Sequence, residues 1–297
     1  MNARAGTLFV VATPIGNVDD ISLRARTVLD SVEIVAAEDT RRTGRLLDRL
    51  GIVRNSGKSG EKNSHKKLLS CHEHNESKRI PELLECLAAG GDVAVVSDAG
   101  TPLLSDPGYR LVSAAVEAGI NVSPIPGCSA AIAAASIAGL PTDQLLFIGF
   151  LPAAARKRKT RLAELKDSPA TILLYESVHR IDATLAELAA EFGAERQLVA
   201  ARELTKLHET IYRGTVSEVI EQVAADPGSG KGEYTLVVAG AQQQAPAASE
   251  LDRVLKILLG YLGVRQAADA AANILGVKKN AAYKRALELR ESTDEQY

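Results

Sequence analysis

Val93-Ala94-Val95-Val96-Ser97-Asp98-Ala99-Gly100-Thr101-Pro102 decides the fold class. Four apolar, mostly β-branched residues predict a strand buried on both faces, as in a parallel sheet, and Ser, Asp, Gly and Pro end it abruptly. In open α/β sheets ligands bind beyond the carboxyl ends of the strands, so Asp98 and the amides of Ala99 and Gly100 are candidate ligand contacts. Ser105-Asp106-Pro107-Gly108 repeats the turn chemistry just before a helical pattern over 109–117. Asp106 alone could be no more than a helix cap.

Other strand ends carry similar residues. A strand at 8–12 stops at Thr13-Pro14-Ile15-Gly16-Asn17, and a helical stretch follows at 22–31. A strand at 32–37 runs into Glu38-Asp39-Thr40-Arg41-Arg42. Residues 54–67 are rich in Gly, Ser, Asn and Lys and predict a mobile loop, which leads to Cys71-His72-Glu73-His74-Asn75-Glu76. Pro81 opens a helical pattern through Ala89, closed by Gly90-Gly91. A second domain is expected from Asn121, where Pro126-Gly127 leads through Cys128-Ser129 into an alanine-rich helix ending at Ala138. Strands at 145–148, 171–174 and 198–201 then stop at Gly149-Phe150-Leu151-Pro152, Tyr175-Glu176-Ser177-Val178-His179-Arg180 and Arg202-Glu203-Leu204-Thr205-Lys206. A final pair, 209–212 and 234–239, reads as antiparallel. Residues 242–248 read as a linker to a helical tail with a turn at Gly276. The expected divisions are therefore 1–120, 121–241 and 249–297: two α/β domains and a small helical extension.

Composition narrows the function classes. At 297 residues and 46% hydrophobic content the chain can bury one large or two medium cores, and two domains are expected. A net charge of −2 gives no global attraction to a polyanion, so any nucleic acid must be held by local patches. The dense one is Arg156-Lys157-Arg158-Lys159-Thr160-Arg161, and Lys278-Lys279 marks a second in the tail. Three cysteines without CxxC spacing argue against a disulfide framework and a zinc site, consistent with a reducing cytoplasm. His72 and His74 lack a third ligand at supporting spacing, so no metal is expected. No apolar run reaches membrane length. The absence of Trp and 4% aromatic content argue against broad base-stacking platforms.

Ready-made motifs fail. No GxGxxG follows a strand, no GxSxG elbow appears, and Gly228-Ser229-Gly230-Lys231-Gly232 lacks the flanking Gly and Ser/Thr of a phosphate loop. What remains is a cleft of backbone groups and small residues, suited to orienting a reactive cosubstrate.

The strand-end motifs, together with His72-Glu73-His74-Asn75-Glu76 and Pro126-Gly127-Cys128-Ser129-Ala130, occur in one order. In that order they resemble the RNA-modifying branch of the tetrapyrrole methylase family, the bacterial 16S rRNA cytidine 2′-O-methyltransferases. The resemblance covers about residues 7–240, and 276–289 is similar to that branch's C-terminal extension. It departs at Val178 and Cys128, where many relatives have Pro. It implies S-adenosylmethionine as methyl donor, a homodimer, and 2′-O-methylation of a cytidine in the decoding region of 16S rRNA in the small ribosomal subunit. By motif match, Pro14, Asp98, Ala99, Gly100, Thr101 and Asp106 would hold the donor from the first domain. Pro126, Gly127, Ser129, Ala130, Tyr175, Glu233 and Thr235 would do so from the second. His179, Glu38 and Glu176 are the foremost candidates for accepting the ribose proton, with Asp39 and Glu203 behind them. Arg41, Arg156, Lys157, Arg158, Arg180, Arg202, Lys206, Lys278 and Lys279 are candidate RNA contacts, although a strand-end Arg is often half of an ion pair. A methylase of a tetrapyrrole-like small molecule, or a non-catalytic nucleotide-sensing module, would fit the same cleft.

Overall fold

The computed structural model describes residues 5–53, 66–241 and 248–294. Packing divides the chain into two units, residues 1–241 and 242–297.

In the larger unit, β1 (Thr7–Val11), β2 (Ile34–Ala37), β3 (Lys67–Ser70), β4 (Val93–Val96) and β5 (Asn121–Ile125) form a sheet of order β3-β2-β4-β1-β5. Every pairing in it is parallel. β2 and β4 are buried at every position, as their unbroken apolar runs require. Helices α1 (Leu23–Ser31) and α2 (Thr40–Arg49) cover one face through Ala25, Leu29 and Leu47. The other face is covered by α3 (Glu76–Ala88) and α4 (Tyr109–Glu117) through Leu83, Leu87 and Leu111.

Several expectations shift. β5 lies within the expected second domain, yet it hydrogen-bonds to β1, so the first sheet runs on to Ile125. Helix α3 begins five residues before Pro81, because Glu76 anchors it: the buried carboxylate accepts the Leu111 N–H at 2.9 Å, joining α3 to α4. The expected loop 54–67 lies outside the described residues through 65. Its last residue, Lys67, is already the first of β3, while the Lys66 ammonium is buried and donates to the Asp30 and Val32 carbonyls.

The second sheet has the order β6-β7-β10-β8-β9, from β6 (Leu145–Phe150), β7 (Thr171–Ser177), β8 (Gln197–Arg202), β9 (Thr210–Thr215) and β10 (Glu233–Val238). β6 and β7 are parallel and the other pairs antiparallel. β9 and β10, read from the sequence as a pair, are not neighbours: β8 lies between them, antiparallel to both. The local pattern of a strand carries no information on which strand lies beside which. One face packs on α6 (Ala155–Leu165), α7 (Ile181–Phe192) and α8 (Val216–Ala225), the other on α5 (Ala130–Ala138).

The smaller unit holds α9 (Ala248–Leu259), α10 (Val264–Leu275) and α11 (Lys279–Asp294). Leu255, Ala268, Ala271, Ala282 and Ala286 form its core, and Gly276 caps α10 in the left-handed region. Arg285 clamps α11 to α9 by two 2.7 Å bonds to Asp252. No helix among the described residues is long and apolar enough to cross a membrane.

Glu76→Ala orphans the buried Leu111 amide and should cost about 1–3 kcal/mol, read as a lower urea midpoint at unchanged m-value. An unchanged midpoint would show that the α3–α4 joint contributes nothing.

Candidate functional site

The site is built where β1 and β4, adjacent in the middle of the first sheet, end together. Thr13 and Gly100 exchange backbone hydrogen bonds of 2.9 and 3.0 Å in an isolated bridge. Gly100 takes φ +82°, and a Cβ there would lie 3.4 Å from Ile15 Cγ2, so only glycine adopts the turn without strain. The end of β2 joins them: Asp39 N–H donates to Asp98 Oδ1 at 3.0 Å, and Asp98 N–H approaches Glu38 Oε2 at 3.4 Å.

The second sheet closes the opposite side. Thr101 Oγ1 donates to the Cys128 carbonyl at 2.9 Å, and Asn17 N–H donates to Thr205 Oγ1 at 3.1 Å. Tyr175 lies directly across from Thr235 on β10, accepts the Ala131 N–H at 3.3 Å and packs against Phe147 and Phe150. Between these walls lies a cavity of about 320 Å³. All four non-glycine residues at positive φ among the described residues fall in its two rim loops: Leu103 and Ser105 on one side, Glu203 and Thr205 on the other. Backbone strain of this kind persists only where surrounding structure enforces it, and it gathers at functional sites.

The cavity is charged asymmetrically. Burial, and then the Asp98 carboxylate, raise the pKa of Glu38 above the usual carboxylate value. Burial first, and then Glu38, push Asp106 up to about 6, against a hydrogen bond from Ser97 that lowers it. Arg42 reaches Asp98 at 3.4 Å. Across the cavity Lys206 sits between Glu203 at 2.7 Å and Glu233 at 3.1 Å; burial would lower its pKa, but the two carboxylates prevail and raise it. Ser129 Oγ, in the cavity wall, is buried without a hydrogen-bond partner of normal geometry. Among the described residues no group of His, Cys, Asp and Glu could hold a metal ion.

The residues singled out from the sequence divide at the cavity wall. Asp98, Ala99, Gly100, Thr101, Asp106, Ser129, Ala130, Tyr175, Glu233 and Thr235 line the cavity, as do Glu38, Glu203 and Lys206. Pro14, Pro126 and Gly127 do not. Gly127 serves packing instead, since a Cβ would come within 2.9 Å of Ala12 Cβ.

The proton-acceptor candidates are thinned. Glu176 touches the wall, but successive strand side chains alternate, and its carboxylate turns toward α7. There, 1% exposed, it accepts from Thr184 Oγ1 at 2.7 Å and Ser177 N–H at 2.8 Å and pairs with Arg180. His179 is exposed in the turn after β7, outside the lining. Asp39 caps α2, and its hydrogen bond to the Arg41 side chain holds its carboxyl well below the usual range.

Among the candidate RNA contacts three arginines are structural. Arg158, 5% exposed, makes bonds of 2.6 and 2.7 Å to Glu187. Arg202 is buried and donates to the Gly228 and Lys231 carbonyls, which makes 228–231 a turn wrapped on a guanidinium. Arg180 donates to the Leu151 carbonyl at 2.8 Å. The basic stretch 156–161 is part of α6, and Lys159 and Arg161 pair with Glu191 and Glu164. Arg156, Lys157 and Lys278 are exposed, with no ion pair among the described residues, whereas Lys279 pairs with Asp269 and Arg41 with Asp39. Arg42 is a cavity residue the sequence reading passed over in favour of its neighbour; only the phase of α2, fixed by buried Thr43, Gly44 and Leu47, tells them apart.

Known proteins agree with this architecture. Residues 7–220 match the family model described as Tetrapyrrole (Corrin/Porphyrin) Methylases, and 245–290 match the one described as RsmI C-terminal HTH domain. Ribosomal RNA small subunit methyltransferase I of Pseudomonas aeruginosa is 47% identical over 287 residues, 96% of this chain and 98% of that protein. The Escherichia coli O157:H7 protein of the same name is 46% identical over 95% of each chain. The crystal structure of the methyltransferase CobJ shares the fold with a TM-score of 0.57 at 20% identity, covering 80% of this chain and 95% of that one. Uroporphyrin-III-C-methyltransferase from Thermus thermophilus does so at 0.52 and 21%, covering 79% and 94%. With its paired sheets, the cavity between them and a full-length match to these relatives, the chain belongs to the tetrapyrrole (corrin/porphyrin) methylase family.

Proposed function

We propose that this protein transfers a methyl group from S-adenosylmethionine to the 2′-oxygen of a cytidine ribose in the decoding region of 16S rRNA, as a cytoplasmic homodimer acting on the small ribosomal subunit. One observation carries the reading. The acidic wall of Glu38, Asp98 and Asp106 faces the orphaned Ser129 hydroxyl and Tyr175 across a cavity of about 320 Å³, within the size range of small-molecule sites. Relatives named for ribosomal RNA methylation, matched over nearly the whole chain, support RNA as the acceptor.

The residues present fit the donor. A methyl sulfonium is cationic and suits a carboxylate wall, and Gly100, lacking a Cβ, lets a ligand approach the turn closely. Asp98, Ala99, Gly100 and Thr101 would hold it from one side, Ser129, Ala130, Tyr175 and Thr235 from the other. When bound, S-adenosylmethionine supplies the activated methyl group. The chain's part is to orient, because in-line displacement demands that the ribose oxygen, methyl carbon and sulfur align. We favour Glu38 over Glu203, whose carboxylate is held by Lys206 at 2.7 Å, as the proton acceptor: Glu38 lines the cavity, and its raised pKa favours taking the proton from the ribose 2′-hydroxyl as the oxygen–methyl bond forms.

Labelled donor should transfer methyl to stripped 30S particles and leave a tetrapyrrole precursor unlabelled; label on the tetrapyrrole alone would overturn the reading. Gly100→Val should abolish donor binding in a folded protein, measured by calorimetry, and unchanged affinity would refute the placement. Glu38→Gln should lower turnover by about 10²–10⁴-fold. Light scattering should report a dimer.

Asp106 gives a pH signature. Its folded pKa of about 6 lies above the ordinary 3.8, so it stabilises the fold below the lower value, and that contribution is lost as pH rises through the higher one. Asp106→Asn should remove this loss, seen as a flatter urea-midpoint profile between about pH 4 and 7. A profile identical to wild type would show that Asp106 is not desolvated.

A further inference from the structure

The basic stretch most conspicuous in the sequence is largely spent on internal pairs, so a slightly acidic protein must gather phosphates elsewhere. Helix α2 supplies the place. Arg41, Arg45 and Arg49 recur every fourth residue along its exposed side, opposite buried Thr43, Gly44 and Leu47. Arg42, one position on from the first of them, lines the cavity. At the far end of the helix Arg49 shares a groove with Arg26 of α1. Among the described residues Arg45 donates only to the Arg41 carbonyl, and Arg26 and Arg49 form no ion pair. Asp39, which holds Arg41 at 2.9 Å, Asp48 on α2 and Asp19 in the groove are carboxylates of this surface, so among the described residues the unpaired cations of the track are Arg45 and Arg49.

We propose that this arginine track holds the phosphodiester backbone of the RNA strand leading to the nucleotide in the cavity, a proposal that rests on RNA being the acceptor. Residues four apart on a helix are about 6 Å apart along its axis, so successive guanidinium groups meet a strand laid along α2 rather than across it. Arginine suits the task, since its planar fork pairs two donors with phosphate oxygens and stays charged. Charge complementarity commits the surface to a polyanion, and its continuity with the cavity through Arg42 commits it to the substrate strand.

The test compares Arg45→Gln/Arg49→Gln with wild type and with Arg156→Ala/Lys157→Ala in binding 30S particles at several salt concentrations. The α2 variant should lose affinity and flatten the log–log salt dependence by about 1.4, two contacts at about 0.7 each, and each single variant by about half that. Donor affinity by calorimetry should stay unchanged, which reports an intact fold. Arg45→Lys/Arg49→Lys should restore the salt slope, because a phosphate contact needs the charge. Unchanged slope and affinity in the Gln variant, while wild type still methylates 30S particles, would overturn the track alone. A slope that falls only in the α6 variant would do the same. Wild type that neither binds nor methylates the particles would overturn the track together with the functional reading beneath it.

Discussion

Two backbone hydrogen bonds, exchanged between Thr13 and Gly100, hold the ends of the central strands β1 and β4 at one point. The sheet order makes them possible: β4 lies beside β1, so loops 87 residues apart in the chain meet. Gly100 can present its amide and carbonyl to Thr13 because it occupies the left-handed region. Ser97, the buried Thr13 hydroxyl and the Asp98 carboxylate take their places around that bridge, and Glu38 arrives from the neighbouring strand end.

The second sheet depends on the first through a few polar contacts. The Thr101–Cys128 bond fixes where α5 begins and so where Ser129 and Ala130 face the cavity. Gly149, at φ +70°, lets β6 pass beside Ser105; a Cβ there would lie 2.1 Å from Ser105 Oγ. The rim loops are therefore strained and closely fitted at once, which keeps Asp106 half-desolvated beside Glu38. Carboxylates in that setting are costly unless a cation offsets them, and Arg42 supplies a partial one.

Charge is divided by burial. The buried Arg158 and Arg202 pair with Glu187 and Asp226, and each joins elements remote in sequence. A guanidinium taken out of water must find such a partner, so the arginines left for an external anion are those on exposed helix faces.

Strand ends, turn glycines and the α/β class were legible in the chain because they rest on local signals: β-branched runs, Asp and Gly at turns, and apolar periodicity. The span of α4, 109–117, was fixed by such a pattern, and so were Asp98, Ala99 and Gly100 at the end of β4, whereas Ser129, Ala130, Tyr175, Glu233 and Thr235 were reached through the family resemblance. Neighbour relations were not legible. That β5 completes the first sheet, that β8 separates β9 from β10, and that Glu176 turns away from the cavity while Glu38 faces it were settled only by tertiary packing. The same holds for the cations: Arg158 and Arg45 look alike in sequence. Only the arrival of Glu187, 29 residues further along the chain, withdraws the first into the protein and leaves the second facing water.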